Sequence, residues 1–134
     1  MQLSNGGHVA VVDGAHFALF RNTADGGEVK LSAEPPVSIK ADQHGSDLGH
    51  ASSSANPGDS QQDEDGFAIG VADHLNKLAL GGKLTELVVI AAPRTLGELR
   101  KHYQKTLEAV VAKELSKDLT GRSQAEIEKA VASA

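Results

Sequence analysis

The chain has 134 residues, which is enough for one domain and one core. Cysteine and tryptophan are absent and aromatics make up only 3%, which rules out disulfides, thiolate metal sites and a cysteine nucleophile and leaves the core to Leu, Val, Ile and Ala. The formal charge of −5 argues against sequence-independent nucleic-acid binding over the whole surface, because such affinity comes from Lys and Arg neutralising phosphates.

In chain order, "HVAVVDGAHFALFRN" holds two apolar runs around Asp13-Gly14, which predicts a hairpin with strands at about 8–13 and 15–21. In the second strand Phe17, Leu19 and Arg21 share one side, with Ala18 and Phe20 on the other. "NTADGGE" predicts a further turn. "EVKLSAE" alternates Val29 and Leu31 against Lys30 and Ser32, which predicts a third strand. Residues 40–66 are polar and rich in Gly, Ser and Asp, so a flexible loop is expected there.

"FAIGVADHLNKLALGG" then places Phe67, Val71, Leu75 and Leu78 at helical spacing, and Gly81-Gly82 ends the pattern. "TELVVIAA" is a short continuous apolar run, as in a central strand covered on both faces. Two helix-start devices follow it. Pro93 suits a first helical position, whereas Thr95 with Glu98 reads as a capping box. Leu96, Leu99, Tyr103 and Leu107 make one apolar face beyond them, with Gly97 as a weak point. "TLEAVVAKELSKDLT" fits a helix through Leu107, Val110, Val111 and Leu115, while "AVVAKEL" also fits a strand; local pattern slightly favours helix. In the tail, Ser123 and Glu126 form another capping box ahead of Ile127, Ala130 and Val131. This order predicts an α/β domain built on a mixed sheet.

The segments "VVDGAHFALFRN", "FAIGVADHLNKL", "LVVIAAPRTLGELRKHY" and "VVAKELSKDLT" resemble, in this order, the bacterial host-attachment family, the "proteins required for attachment to host cells". That family in turn resembles the central domain of archaeal and eukaryotic class-1 peptide-chain release factors. The resemblance covers nearly the whole chain and implies one domain, a mixed sheet of about five strands flanked by helices. It also implies a strand at "EAVVAKEL". Release factors of this kind hydrolyse peptidyl-tRNA with a Gly-Gly-Gln loop. Here the Gly-Gly pairs at 6–7, 26–27 and 81–82 are followed by His8, Glu28 and Lys83, so that chemistry is not expected.

Asp13 after the first strand and Asp118 after the fifth form a conceivable carboxylate pair for a metal-dependent hydrolase or nuclease. Turn and cap roles are the more frequent use of such residues. His44, Asp47 and His50, with Asp42, sit in the polar stretch and are expected to be solvated, so neither a metal nor a cofactor is assigned. Arg94, Arg100, Lys101 and Lys105 gather on the helix after "APRT" and are the candidate RNA contacts, against the commoner role of a solvated face. No apolar stretch approaches bilayer length, and the N-terminus lacks the basic start of a signal peptide. The expectation is a non-catalytic cytoplasmic protein without membrane insertion. Its partner would be the ribosome, tRNA or another protein; a small hydrolase and an interaction module in host attachment are the alternatives.

Overall fold

A computed structural model describes residues 3–24, 29–35, 37, 39 and 59–134. Five strands form one open sheet: β1 (His8–Val12), β2 (Phe17–Asn22), β3 (Leu31–Ala33), β4 (Leu87–Ala91) and β5 (Val111–Ser116), in the order β3-β2-β1-β4-β5. β1 pairs antiparallel with β2 and parallel with β4; β2–β3 is antiparallel and β4–β5 parallel. The helices are α1 (Asp59–Leu80), α2 (Pro93–Arg100), α3 (Lys105–Val110) and α4 (Gln124–Ser133). This is the mixed α/β sheet that the sequence predicts.

Sequence period explains the layers. β1 and β4 are buried at every position, so they carry no polar alternation. Ala10, Val12, Leu87, Val89 and Ala91 meet α1, α2 and α3 through Val71, Leu75, Leu96, Leu99 and Leu107. Val9, Val11, Val88 and Ile90 point the other way, with Phe20 and Leu31, onto Ile127 and Val131 of α4. One sheet therefore separates two apolar clusters, and α4 alone among the described helices closes the second.

Several boundaries differ from those expected. The β1–β2 connection uses four residues, 13–16, rather than a two-residue Asp-Gly turn. Asp13 explains the difference, because Oδ1 accepts the amides of Ala15 (2.7 Å) and His16 (2.5 Å) and so fixes a wider turn through its side chain. The polar stretch 40–66 also stops short. Residues 59–66 are the opening turns of α1. Residues 40–58 lie outside the described residues.

At its other end α1 stops as its glycines predict. Gly82 has φ 76°, its amide bonds Ala79 O, and the Lys83 amide bonds Leu78 O, the two closing bonds of a Schellman motif. The single helix expected from Leu96 to Leu107 is two helices. Asn76 of α1, 5% exposed, donates Nδ2 to His102 O (2.8 Å) and accepts the Gln104 amide on Oδ1 (2.9 Å). That side chain satisfies backbone groups that a continuous helix would pair internally, so a turn at 101–104 carries no orphan cost. The ambiguous segment after it is divided: α3 ends at Val110 and β5 begins at Val111.

The two capping boxes have opposite outcomes. Ser123 is the N-cap of α4 and its hydroxyl accepts the Glu126 amide at 3.2 Å. Thr95 is not a cap: α2 starts at Pro93 behind Ala92, with no side-chain cap bond. Proline's fixed φ and missing N–H start the helix three residues earlier, and the Leu96 amide finds Ala92 O at 2.8 Å. Ser123→Ala is thus expected to cost about 1 kcal/mol in urea unfolding, and Thr95→Ala less than about 0.5 kcal/mol.

Candidate functional site

Open α/β sheets bind ligands beyond the carboxyl ends of their strands, where the chain order reverses. Here the reversal lies between β1, whose chain continues to β2 and β3, and β4, which flanks its other side. Beyond those ends lie Asp13 after β1, the Ala92-Pro93-Arg94 start of α2 after β4, and the 117–123 connection after β5. Asp13 and Asp118, separated in sequence, meet here through a residue the sequence reading did not single out. The Thr120 hydroxyl lies 2.8 Å from Asp13 Oδ2 and 2.6 Å from Asp118 Oδ1. Asp118 also accepts the Thr120 amide at 3.2 Å.

A threonine has one hydroxyl proton, so it serves only one of these carboxylates at a time. The Asp118-x-Thr120 part is a local turn visible in sequence. The Asp13 partner is 107 residues away and had no local signal. Glu64 of α1 adds a third carboxylate against the hairpin: a β-carbon on Gly14 would come within 2.6 Å of its Cγ, so a larger residue there would displace that side chain. Among the described residues, no three His, Asp or Glu side chains are arranged to hold a metal ion. The His44, Asp47 and His50 group, with Asp42, lies outside the described residues.

Burial raises the Asp13 pKa, but bonds from Ala15, Thr120 and His16 outweigh it and leave the carboxyl below its ordinary value. His16 Nδ1 stands 3.1 Å from Oδ2. A depressed folded-state pKa stabilises above the unfolded value, and that contribution is lost as pH falls through the folded one. Chemical denaturation should therefore show Asp13→Asn less stable than the parent at neutral pH. The gap should close as pH drops through and below the ordinary aspartate range.

The four basic candidates do not form one free face. Arg94, in the first turn of α2 at the carboxyl edge, and Lys105, which opens α3, are exposed without an ion pair among the described residues. Arg100 reaches Glu114 of β5 through Nε (2.8 Å) and NH2 (2.7 Å), and Lys101 Nζ lies 3.4 Å from Glu98. Glu114 also accepts the Tyr103 hydroxyl at 3.1 Å. Burial, then the Glu114 charge, pushes that phenol above its ordinary pKa, so it stays a donor. Glu114 therefore ties α2 and the 101–104 turn to β5. Its partners sit 11 and 14 residues away, beyond helical spacing, so no sequence pattern marked them.

The described glycine pairs have structural roles. Gly6, with φ 85°, and Gly7 lead into β1, where a Gly7 β-carbon would come within 2.7 Å of Leu3 Cδ1. Gly81-Gly82 ends α1. Among the described residues, no helix is long and apolar enough to cross a membrane. No curated protein matches the chain. A family model does match, over residues 8–131, from the first residue of β1 into the last helix. The chain belongs to the bacterial archaeo-eukaryotic release factor family 12.

Proposed function

We propose that the protein is a cytosolic, non-catalytic module that associates with the ribosome or tRNA and does not release peptide. The family match across residues 8–131 carries the translation-related part of this reading. The sequence supports the absence of peptide release, since none of its Gly-Gly pairs is followed by Gln. Arg94 and Lys105, exposed and unpaired among the described residues, are the first contacts to an RNA backbone. Arg100 and Lys101 join them while keeping their carboxylate partners, since both are exposed.

Co-sedimentation with purified ribosomes, and titration of tRNA, test this. Replacing Arg94, Arg100, Lys101 and Lys105 by Gln should leave the circular dichroism unchanged. It should weaken association about tenfold or more and flatten its salt dependence, because fewer counterions are released. Association unchanged in both affinity and salt slope would remove this face from the reading. No association with ribosomes or tRNA by the parent would remove the reading itself. Capture from cells that retains a protein partner after nuclease treatment would favour the interaction module of host attachment instead.

The shared Thr120 hydroxyl gives the hydrolase alternative a specific observation, since its oxygen lies within hydrogen-bond distance of both Asp13 and Asp118. That alternative requires hydrolysis of a phosphoester or nucleic acid by pure protein with Mg²⁺ or Mn²⁺, lost in folded Asp13→Ala and Asp118→Ala variants.

A further inference from the structure

On the α1 side of the sheet, toward its β3 edge, lies a cavity of about 230 Å³. It lies between β2, residues 34, 35 and 37 after β3, and α1; Phe17, Leu19, Glu34, Pro35, Val37 and His74 line it. Two observations give it chemistry. First, Glu34 is oriented. Its Oε1 stands 3.2 Å from Nε2 of His8, a residue only 8% exposed, whereas Oε2 has no partner among the described residues. A carboxylate fixed through one oxygen keeps acceptor capacity on the other. Secondly, none of the other described wall residues supplies a cation. The edge of one ring meets the face of the other between Phe17 and His74, with centroids 5.9 Å apart and planes at 74°. Burial, and then the charge of Lys77, lowers the His74 pKa, so this imidazole is neutral at neutral pH.

We propose that this cavity binds a small organic amine, with its protonated nitrogen on Glu34 Oε2 and a compact apolar body between Phe17, Leu19 and Val37. Size and charge both select that class. A cavity of roughly 150 Å³ holds one benzene ring, so this one takes a single ring with a short ammonium arm. An anionic head would face the Glu34 carboxylate with no counter-charge among the described wall residues. A purely apolar ligand would cover that oxygen without replacing its hydrogen bonds to water. This site is independent of the RNA reading, and its failure would leave that reading untouched.

Benzylamine, benzoate and benzyl alcohol serve as probes in amide NMR titrations of the full chain. Benzylamine should give saturable shifts at Ala18, Leu19, Ala33 and His74, and benzoate should give none there. Benzyl alcohol should bind more weakly than benzylamine. Glu34→Gln should reduce benzylamine affinity about tenfold or more, the usual loss of a charged hydrogen bond. Val37→Trp, at a position 45% exposed, should fill the cavity and abolish the shifts while keeping the parent's spectral dispersion. Benzoate binding at these amides as well as benzylamine, an unchanged affinity in folded Glu34→Gln, or no saturable shift in the parent would each overturn the proposal.

Discussion

Leu99→Ala should lower unfolding stability by about 2–5 kcal/mol, the range for a leucine removed from a closed core. Leu99 has no exposed surface and lies with Leu75, Leu96 and Leu107 where α1 and α2 cover β4. A domain of this size is stable by about 5–15 kcal/mol in total, so the variant should lose a large part of its margin. Urea unfolding with an unchanged slope is the measurement. Leu80→Ala is the control: that side chain is 71% exposed and should change stability by less than about 0.5 kcal/mol. Equal losses in the two variants would contradict the packing of α2 against the sheet.

Asn22→Ala should cost about 2–4 kcal/mol with almost no apolar surface at stake. Asn22 is 1% exposed and uses both ends of its amide. Nδ2 donates to Leu3 O (2.7 Å) and Ser4 O (3.2 Å), while Oδ1 accepts the amides of Ala24 and Lys30, both at 3.1 Å. Alanine takes that partner from Leu3 O and from the amides of Ala24 and Lys30, while Ser4 O keeps the Gly7 amide, and hydrogen exchange should accelerate first at Ala24 and Lys30. Asn22→Asp keeps the acceptor side but turns a carboxylate oxygen toward two carbonyls. Its folded-state pKa would be raised, so the ionisation penalty grows as pH rises through the ordinary aspartate range. That variant should regain part of its stability in acid, a recovery that Asn22→Ala should not show.

What could be read in advance was whatever depends on neighbours in sequence. The buried runs of β1 and β4, the Val71 and Leu75 face of α1, the Gly82 stop and the Ser123 cap each rest on spacings within one or two turns. Failures came where two local rules competed or a distant group decided. Pro93 and Thr95 both signal a helix start, and proline prevailed because Ala92 O already takes the Leu96 amide. No pattern around Leu99–Leu107 contains Asn76, yet Asn76 breaks that helix. At the carboxyl edge, Asp13 and Asp118 were legible as candidates because each follows a strand. Thr120 was not, because its significance comes from pairing the first strand with the last.

The sheet order has a consequence for synthesis. β1 is made first, sits in the middle of the sheet, and meets its parallel neighbour only when β4 appears about 75 residues later, several seconds at ordinary elongation rates. The face carrying Val9 and Val11 waits longer still, for α4 at the chain's end. Even the β3 edge depends on that helix, since Glu128 accepts the Leu31 amide at 2.7 Å and Gln124 bonds its carbonyl. The emerging N-terminal meander therefore carries a bare apolar strand edge and an uncovered apolar face throughout elongation. A nascent chain stalled before Gln124 would present both to chaperones and proteases, so α4 is the element whose synthesis closes the sheet.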